Sequence, residues 1–157
     1  MANDLTALEQ WAGALLARLE PAARRKINQQ VAQDLRRSQQ QRIKAQQSPE
    51  GTPYAARKTR KQLREKQGRI KKQKAAMFGK LRTSAHLKLN ADANQIAVGF
   101  LGRVARIARV HQFGLRDTVC KNGPEVQYAE RRLLGFAEHD IESIRNLLLC
   151  HLSNINK

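Results

Sequence analysis

Aromatic side chains are scarce, at 4% of 157 residues. So thin a supply argues against the base-stacking surface that single-stranded nucleic-acid binders assemble. Cysteine is sparser still. Cys120 and Cys150 stand far apart without Cys-x-x-Cys spacing, which supports neither a disulfide framework nor a zinc knuckle and fits synthesis in a reducing compartment. No apolar run approaches the roughly 18–20 residues of a membrane-spanning helix. The opening MANDLTALEQW lacks the basic stretch and apolar core of a signal peptide, so neither a membrane partner nor ordinary secretion is expected. Acidic residues are also few: 13 Asp and Glu face 30 Lys and Arg, for a net charge of +17 and a pI near 10.9. That imbalance points to a polyanionic or acidic partner and says nothing about fold.

Catalytic signatures are missing as well. No glycine-rich phosphate loop, nucleophile elbow or clustered carboxylate pair occurs. His86, His111, His139 and His151 are scattered, with no pair at metal-ligand spacing. Neither an enzyme nor a cofactor or metal is expected.

What is present reads as one α+β domain over 1–157. It comprises a helical part at 1–46, a basic insertion at 55–80, and a small antiparallel sheet with a C-terminal helix at 81–157. The organising stretch is Gln95 to Gly114. It alternates through Ile96, Val98 and Phe100, then returns through Val104, Ile107 and Val110 to His111-Gln112-Phe113-Gly114. Two apolar passes with a break predict paired strands, or a strand and a short helix. Ahead of it, Leu5, Leu8, Trp11, Ala12, Leu15, Leu16 and Leu19 recur at helical spacing and predict a first helix with one buried stripe. Pro21 suits the first residue of a second helix, because its missing N–H would have had no intrahelical partner there. Ile27, Val31, Leu35 and Ile43 draw a thin apolar line along that helix to about residue 46, predicting packing on one neighbour and a wide exposed face.

Ser48-Pro49-Glu50-Gly51-Thr52-Pro53-Tyr54 cannot continue a helix and predicts an ordered loop anchored by Tyr54. Beyond it Arg57, Lys58, Arg60, Lys61, Arg64, Lys66, Arg69, Lys71, Lys72, Lys74, Lys80 and Arg82 face one acid, Glu65, with Leu63, Ile70 and Met77 interspersed, about one per seven residues. So little apolar surface predicts a mobile or partner-ordered insertion. It either contacts nucleic acid or an acidic protein surface, or it is a solvated insertion that serves solubility. Leu87 and Leu89, a turn at Ala91-Asp92-Ala93-Asn94 and an answering strand from Gln95 predict a hairpin. Arg103, Arg106 and Arg109 share one face of a helical turn, with Val104 and Ile107 turned away from it. A short strand is predicted from Glu125 to Ala129, and a last helix begins near the acidic Glu138 and Asp140.

Arg42-Ile43-x-x-Gln46-x-x-Pro49-x-Gly51-x-Pro53-Tyr54, Leu81-Arg82-x-Ser84, Val98-Gly99, His111-Gln112-Phe113-Gly114 and Tyr128-Ala129-Glu130-Arg131-Arg132-Leu133-Leu134-Gly135 occur in that order. Together they resemble the phage virion morphogenesis family, the tail-completion proteins of Mu-like and related contractile-tailed bacteriophages. The resemblance implies a structural subunit of the virion neck, synthesised in the bacterial cytoplasm. It further implies a ring of identical copies, a hexamer among the options, around the DNA passage and against other neck and tail proteins. Ala129 stands where the family often has proline. On this view Pro49, Gly51, Pro53, Tyr54, His111, Gln112, Phe113 and Gly114 are architectural, with Phe113 packed and Gly114 at a turn, and Leu133 and Leu134 are buried. Arg57, Lys58, Arg60, Lys61, Arg64, Lys71, Lys72 and Lys74 contact DNA or a partner, while Arg131 and Arg132 are either a subunit contact or exposed charge. The alternative is a nucleic-acid-binding protein without sequence preference.

Overall fold

A computed structural model describes residues 2–16, 20–56, 76–118 and 123–155. The order is α1 (Ala2–Leu16), α2 (Pro21–Ala45), β1 (Leu87–Ala91), β2 (Ile96–Phe100), α3 (Arg103–Gln112), β3 (Arg116–Thr118), β4 (Glu125–Gln127) and α4 (Glu138–Ile155). The fold is α+β. Two antiparallel ladders stand apart, one pairing β1 with β2 and the other β3 with β4. The organising stretch is thus a strand followed by a helix.

Helix α2 is the spine. Pro21 occupies its first turn, and Gln46 ends it in the left-handed conformation at φ 61°, where the terminal carbonyls of Arg42 and Ile43 take main-chain bonds. Its buried face carries Ile27, Val31, Ala32, Leu35 and Ile43, the apolar line of the sequence, and also Asn28, Gln39 and Arg42. The helix does not pack on one neighbour as its narrow stripe suggested. It holds the β1–β2 hairpin and α4 together, because its buried polar residues widen the covered face beyond the apolar line. Ile27, Val31 and Leu35 meet Leu148 of α4, with Ile96, Val98 and Ile144 against them, while Ile43 enters a second cluster with Tyr54, Leu81, Ala108 and Leu133.

The β1–β2 register runs from Leu87 opposite Phe100 to Ala91 opposite Ile96. Asp92 closes the turn by accepting the N–H groups of Asn94 (2.7 Å) and Gln95 (2.9 Å), and these two bonds hold its carboxyl below the usual carboxylate range. Asn28 ties that turn to α2 by donating to the Asp92 carbonyl at 2.7 Å. The other ladder is shorter than the alternation from Glu125 to Ala129 implied. It stops at Gln127: Tyr128 still donates to the in-register Leu115 carbonyl at 3.1 Å, but the Leu115 N–H turns to the Val110 carbonyl at 2.9 Å and does not return the bond.

In α1 Leu8 is buried and Leu5 and Ala12 are half-buried, but Trp11 is 40% exposed. The stripe is therefore only partly covered, because α1 packs on α4 rather than into a continuous layer. The side chains of Leu15, Leu16 and Leu19 lie outside the described residues.

A buried ion pair joins α2 to the start of α4. Arg42 Nη1 donates to Asp140 Oδ2 at 3.2 Å, with the two side chains 7% and 2% exposed. Arg42 Nη2 also donates to the Gly135 carbonyl at 2.9 Å. The same Asp140 oxygen accepts the Ala137 N–H at 2.9 Å, capping one of the orphan donors at the N-terminus of α4. Desolvating two ions is offset only when their remaining bonding capacity is filled, so loss of either partner strands a buried charge. Arg42→Met is expected to lower the unfolding free energy by about 3–5 kcal/mol. Urea titration checks this, and an Arg42→Met/Asp140→Leu double variant should recover part of the loss.

Candidate functional site

The basic segment is the feature that composition singled out, and residues 57–75 lie outside the described residues. Arg57, Lys58, Arg60, Lys61, Arg64, Lys71, Lys72 and Lys74 all fall there. The residues that flank it on either side meet at one place on the core, where Tyr54 and Phe78 touch.

The entry end leaves the turn after α2. Ser48-Pro49-Glu50-Gly51 has the residue order that a type I turn favours, and the Gly51 N–H donates to the Ser48 carbonyl at 2.9 Å. Ser48 further pairs with Thr52, and Gln47 bridges Pro53. Pro49 is buried because Gly135 lies against it. A Cβ at Gly135, whose φ is +149°, would fall 2.6 Å from the Pro49 Cγ. Tyr54 then sinks into the core and its hydroxyl donates to the Arg132 carbonyl at 3.2 Å. Burial pushes that phenol up to about 12, against the lowering effect of nearby Arg42.

Two side chains hold the segment's ends. Arg131 Nε donates to the Ala55 carbonyl at 2.8 Å and Nη2 to that of Ala56 at 3.1 Å. At the exit, Gln46 pairs with Met77 as a strand neighbour would: Oε1 accepts the Met77 N–H at 2.7 Å and Nε2 donates to the Met77 carbonyl at 2.9 Å. Between the two clamps runs a file of rings. Tyr54 meets Phe78 edge-on at 5.9 Å, Phe78 meets His111 at 4.9 Å, and His111 meets Tyr128 at 5.0 Å, a preferred aromatic geometry. Phe78 takes a φ of +63° to reach that file, a conformation costly for a bulky residue that its packing offsets.

The motif His111-Gln112-Phe113-Gly114 ends α3 and receives the segment after β4. Gln112 Oε1 accepts the N–H groups of Leu133 (2.8 Å) and Leu134 (2.9 Å), and its Nε2 donates to the Leu134 carbonyl at 3.0 Å. The His111 carbonyl accepts the Arg131 N–H at 2.7 Å. Gly114, at φ +58°, lets the chain pass where a Cβ would lie 3.0 Å from the Glu130 nitrogen. Leu133 is fully buried and Leu134 half-buried.

Three assignments require correction. Arg131 is not exposed charge: it is buried and its guanidinium is occupied by main-chain carbonyls within the chain. Phe113 does not pack inside. It is 63% exposed because it follows the last turn of α3, where Gln112 rather than Phe113 faces Leu133. Ile107 is also exposed, on the outer face of α3 with the arginines, whereas Val104 is half-buried. Arg132 is exposed and pairs with Glu50. Arg42, Gln46 and Arg131 were the residues that sequence reasoning missed as anchors. For Arg42 a signal existed: with Gln39 it continues the spacing of Leu35 at i+4 and i+7, so both polar side chains fall on the buried stripe.

One grouping has the residue types of a hydrolase. Ser38 Oγ lies 3.0 Å from His139 Nε2, and Asp140 Oδ1 lies 3.2 Å from the same nitrogen. A proton relay needs the serine and the carboxylate on opposite ring nitrogens, and here both meet one. Asp140 is moreover engaged by Arg42. Among the described residues no three His, Cys, Asp or Glu gather as a metal site, and no helix is long and apolar enough to cross a membrane.

Arg42, Gln46, Gln112 and Arg131 thus brace an α+β scaffold that holds both ends of a cationic segment. Residues 3–153 match the model of the phage virion morphogenesis family, and the chain belongs to that family. It is similar to the tail completion protein S of Escherichia phage P2, with 40% identity over 151 residues that cover 96% of this chain and 98% of that one. No solved structure matches.

His111 makes the site sensitive to acid. Arg131 Nη1 lies 3.3 Å from His111 Nδ1, and because arginine only donates, Nδ1 is the unprotonated acceptor of a neutral ring. Burial first, and then the Arg131 charge, push the imidazole below its ordinary value. Between that lowered value and about 6.5, the unfolded chain binds more protons than the folded one. This contribution is complete above about pH 6.5 and is lost as pH falls below it. Thermal unfolding between pH 7.5 and 5 should show the decline, and His111→Gln, though less stable at neutral pH, should flatten it.

Proposed function

We propose that this chain completes the phage tail and helps to join it to the DNA-filled head, as a neck component of the virion without catalytic activity. The observation that carries this is the similarity to tail completion protein S, which runs almost from end to end of both chains. The physical arrangement supports it. A subunit at a junction needs surfaces for like neighbours and for unlike partners. It also benefits from cations where it meets DNA, because phosphate contacts position a protein without reading sequence. With both of its ends clamped to the core, the basic segment is presented from a defined place. In this role the chain acts as a ring of identical copies around the DNA passage, a hexamer being the stoichiometry we favour. The cations from Arg57 to Lys74 face the lumen or grip an acidic neighbouring neck or tail protein.

Inactivating the gene in the genome that carries it, inducing particle production and imaging the lysate by negative-stain electron microscopy tests the role. Filled heads lying apart from tails, or tails of abnormal form, are the expected result. Joined, infectious particles would overturn it and favour a nucleic-acid-binding protein without sequence preference. Neutralising Arg60, Lys61, Lys71 and Lys72 together should impair joining while leaving the unfolding midpoint of the isolated chain unchanged. Normal infectious yields from that variant would make the segment a solvated insertion.

A further inference from the structure

We infer that the outer face of α3, with the groove beside it, docks a partner protein that offers an apolar side chain flanked by carboxylates. Large apolar side chains exposed among the described residues concentrate here. Leu101 (68% exposed), Ile107, Phe113 and Leu115 all lie on or next to α3. Beside the helix runs a groove of about 280 Å³, walled by Phe100, Ala105, Ala108, Gln112, Phe113 and Leu134 and edged by Arg109. Its walls are mostly apolar, the Gln112 amide being engaged by Leu133 and Leu134, and its volume accommodates a large side chain.

Charge selects the occupant. The ionised side chains of α3 are Arg103, Arg106 and Arg109, and the helix carries no acid. Arg106 pairs with Asp117 across to β3. Arg103 and Arg109 are exposed and have no ion pair among the described residues, so they are available to carboxylates from outside. Arginine mixed with exposed aromatic and aliphatic residues is the composition of the energetic centre of a protein interface. A DNA backbone would satisfy the arginines and yet leave Leu101, Ile107 and Phe113 against a polar surface with nothing to fill the groove. A second copy of this chain is the weaker match at this surface: it carries 13 acids against 30 bases, and five of the 13, Asp34, Asp92, Asp117, Asp140 and Glu50, are engaged within the chain.

The surface is independent of the role assigned to the basic segment, and its test is independent too. Phe113→p-benzoylphenylalanine, and separately Leu101→p-benzoylphenylalanine, are introduced into the full chain in particle-producing cells. The cells are irradiated and the adducts mapped by mass spectrometry. The expected product at both positions is a cross-link to one other protein, within a peptide holding acidic residues beside an apolar one. Adding Arg109→Glu should cut its yield about tenfold, the scale of a hot-spot loss, whereas Arg37→Glu on exposed α2 should not. All these positions are exposed, so unfolding midpoints of the purified variants should match the parent. Adducts with DNA or with a second copy, a yield insensitive to Arg109→Glu, or no adduct at either position would overturn the proposal. Because the readout is the adduct rather than particle yield, its failure leaves the tail role standing, and the converse also holds.

Discussion

Main chain that is neither helix nor strand must still pair its N–H and C=O groups when it is buried, and this constraint governs the structure. Two short ladders cannot meet it, because the loop after α2 and the stretch from Tyr128 to Ala137 dip into the core at Ser48, Pro49, Tyr54, Arg131, Leu133 and Ala137, outside either ladder. Four long polar side chains take the place of strand neighbours. Gln46 pairs with Met77, Gln112 with Leu133 and Leu134, Arg42 with Gly135, and Arg131 with Ala55 and Ala56. Each bonds to main chain far away in sequence. The packing of Ile43, Tyr54 and Leu133 around them depends on these bonds, since an unpaired buried amide costs more than a typical hydrogen bond contributes.

Such an arrangement couples parts of the molecule that would otherwise be independent. Arg131 reaches from the segment after β4 to the entry of the basic stretch, and its Nη1 touches His111 at the end of α3. Through the ring file, His111 in turn meets Phe78 at the exit. The base of the basic segment is thus made by residues from four regions of the chain. The cationic stretch therefore leaves and rejoins the core at a root with defined geometry.

Polarity is distributed against the usual expectation. Arg42, Arg131 and Asp140 are inside, while Leu101, Ile107 and Phe113 are outside. Buried charges are explained by the main-chain groups and ion pair they satisfy. Exposed apolar groups gathered around one arginine-bearing helix have no such internal explanation, and a concentration of this kind marks a contact surface.

The sequence by itself determined most of the elements, β3 being one that only the structure supplied. The 3.6-residue period of Ile27, Val31 and Leu35, the proline opening α2, the turn tetrad from Ala91 to Asn94 and the acidic start of α4 are local signals, and local signals can be read along the chain. The order of the family-like motifs and the excess of positive charge were equally legible. Tertiary structure alone decided what the polar and aromatic side chains do. Whether Arg131 lies inside or out, whether Phe113 packs, and that Gln46 and Gln112 stand in for strands depend on which distant carbonyl or amide comes within 3 Å. Arginine and glutamine are compatible with either environment in sequence, and only the pairing of buried main chain selects between them.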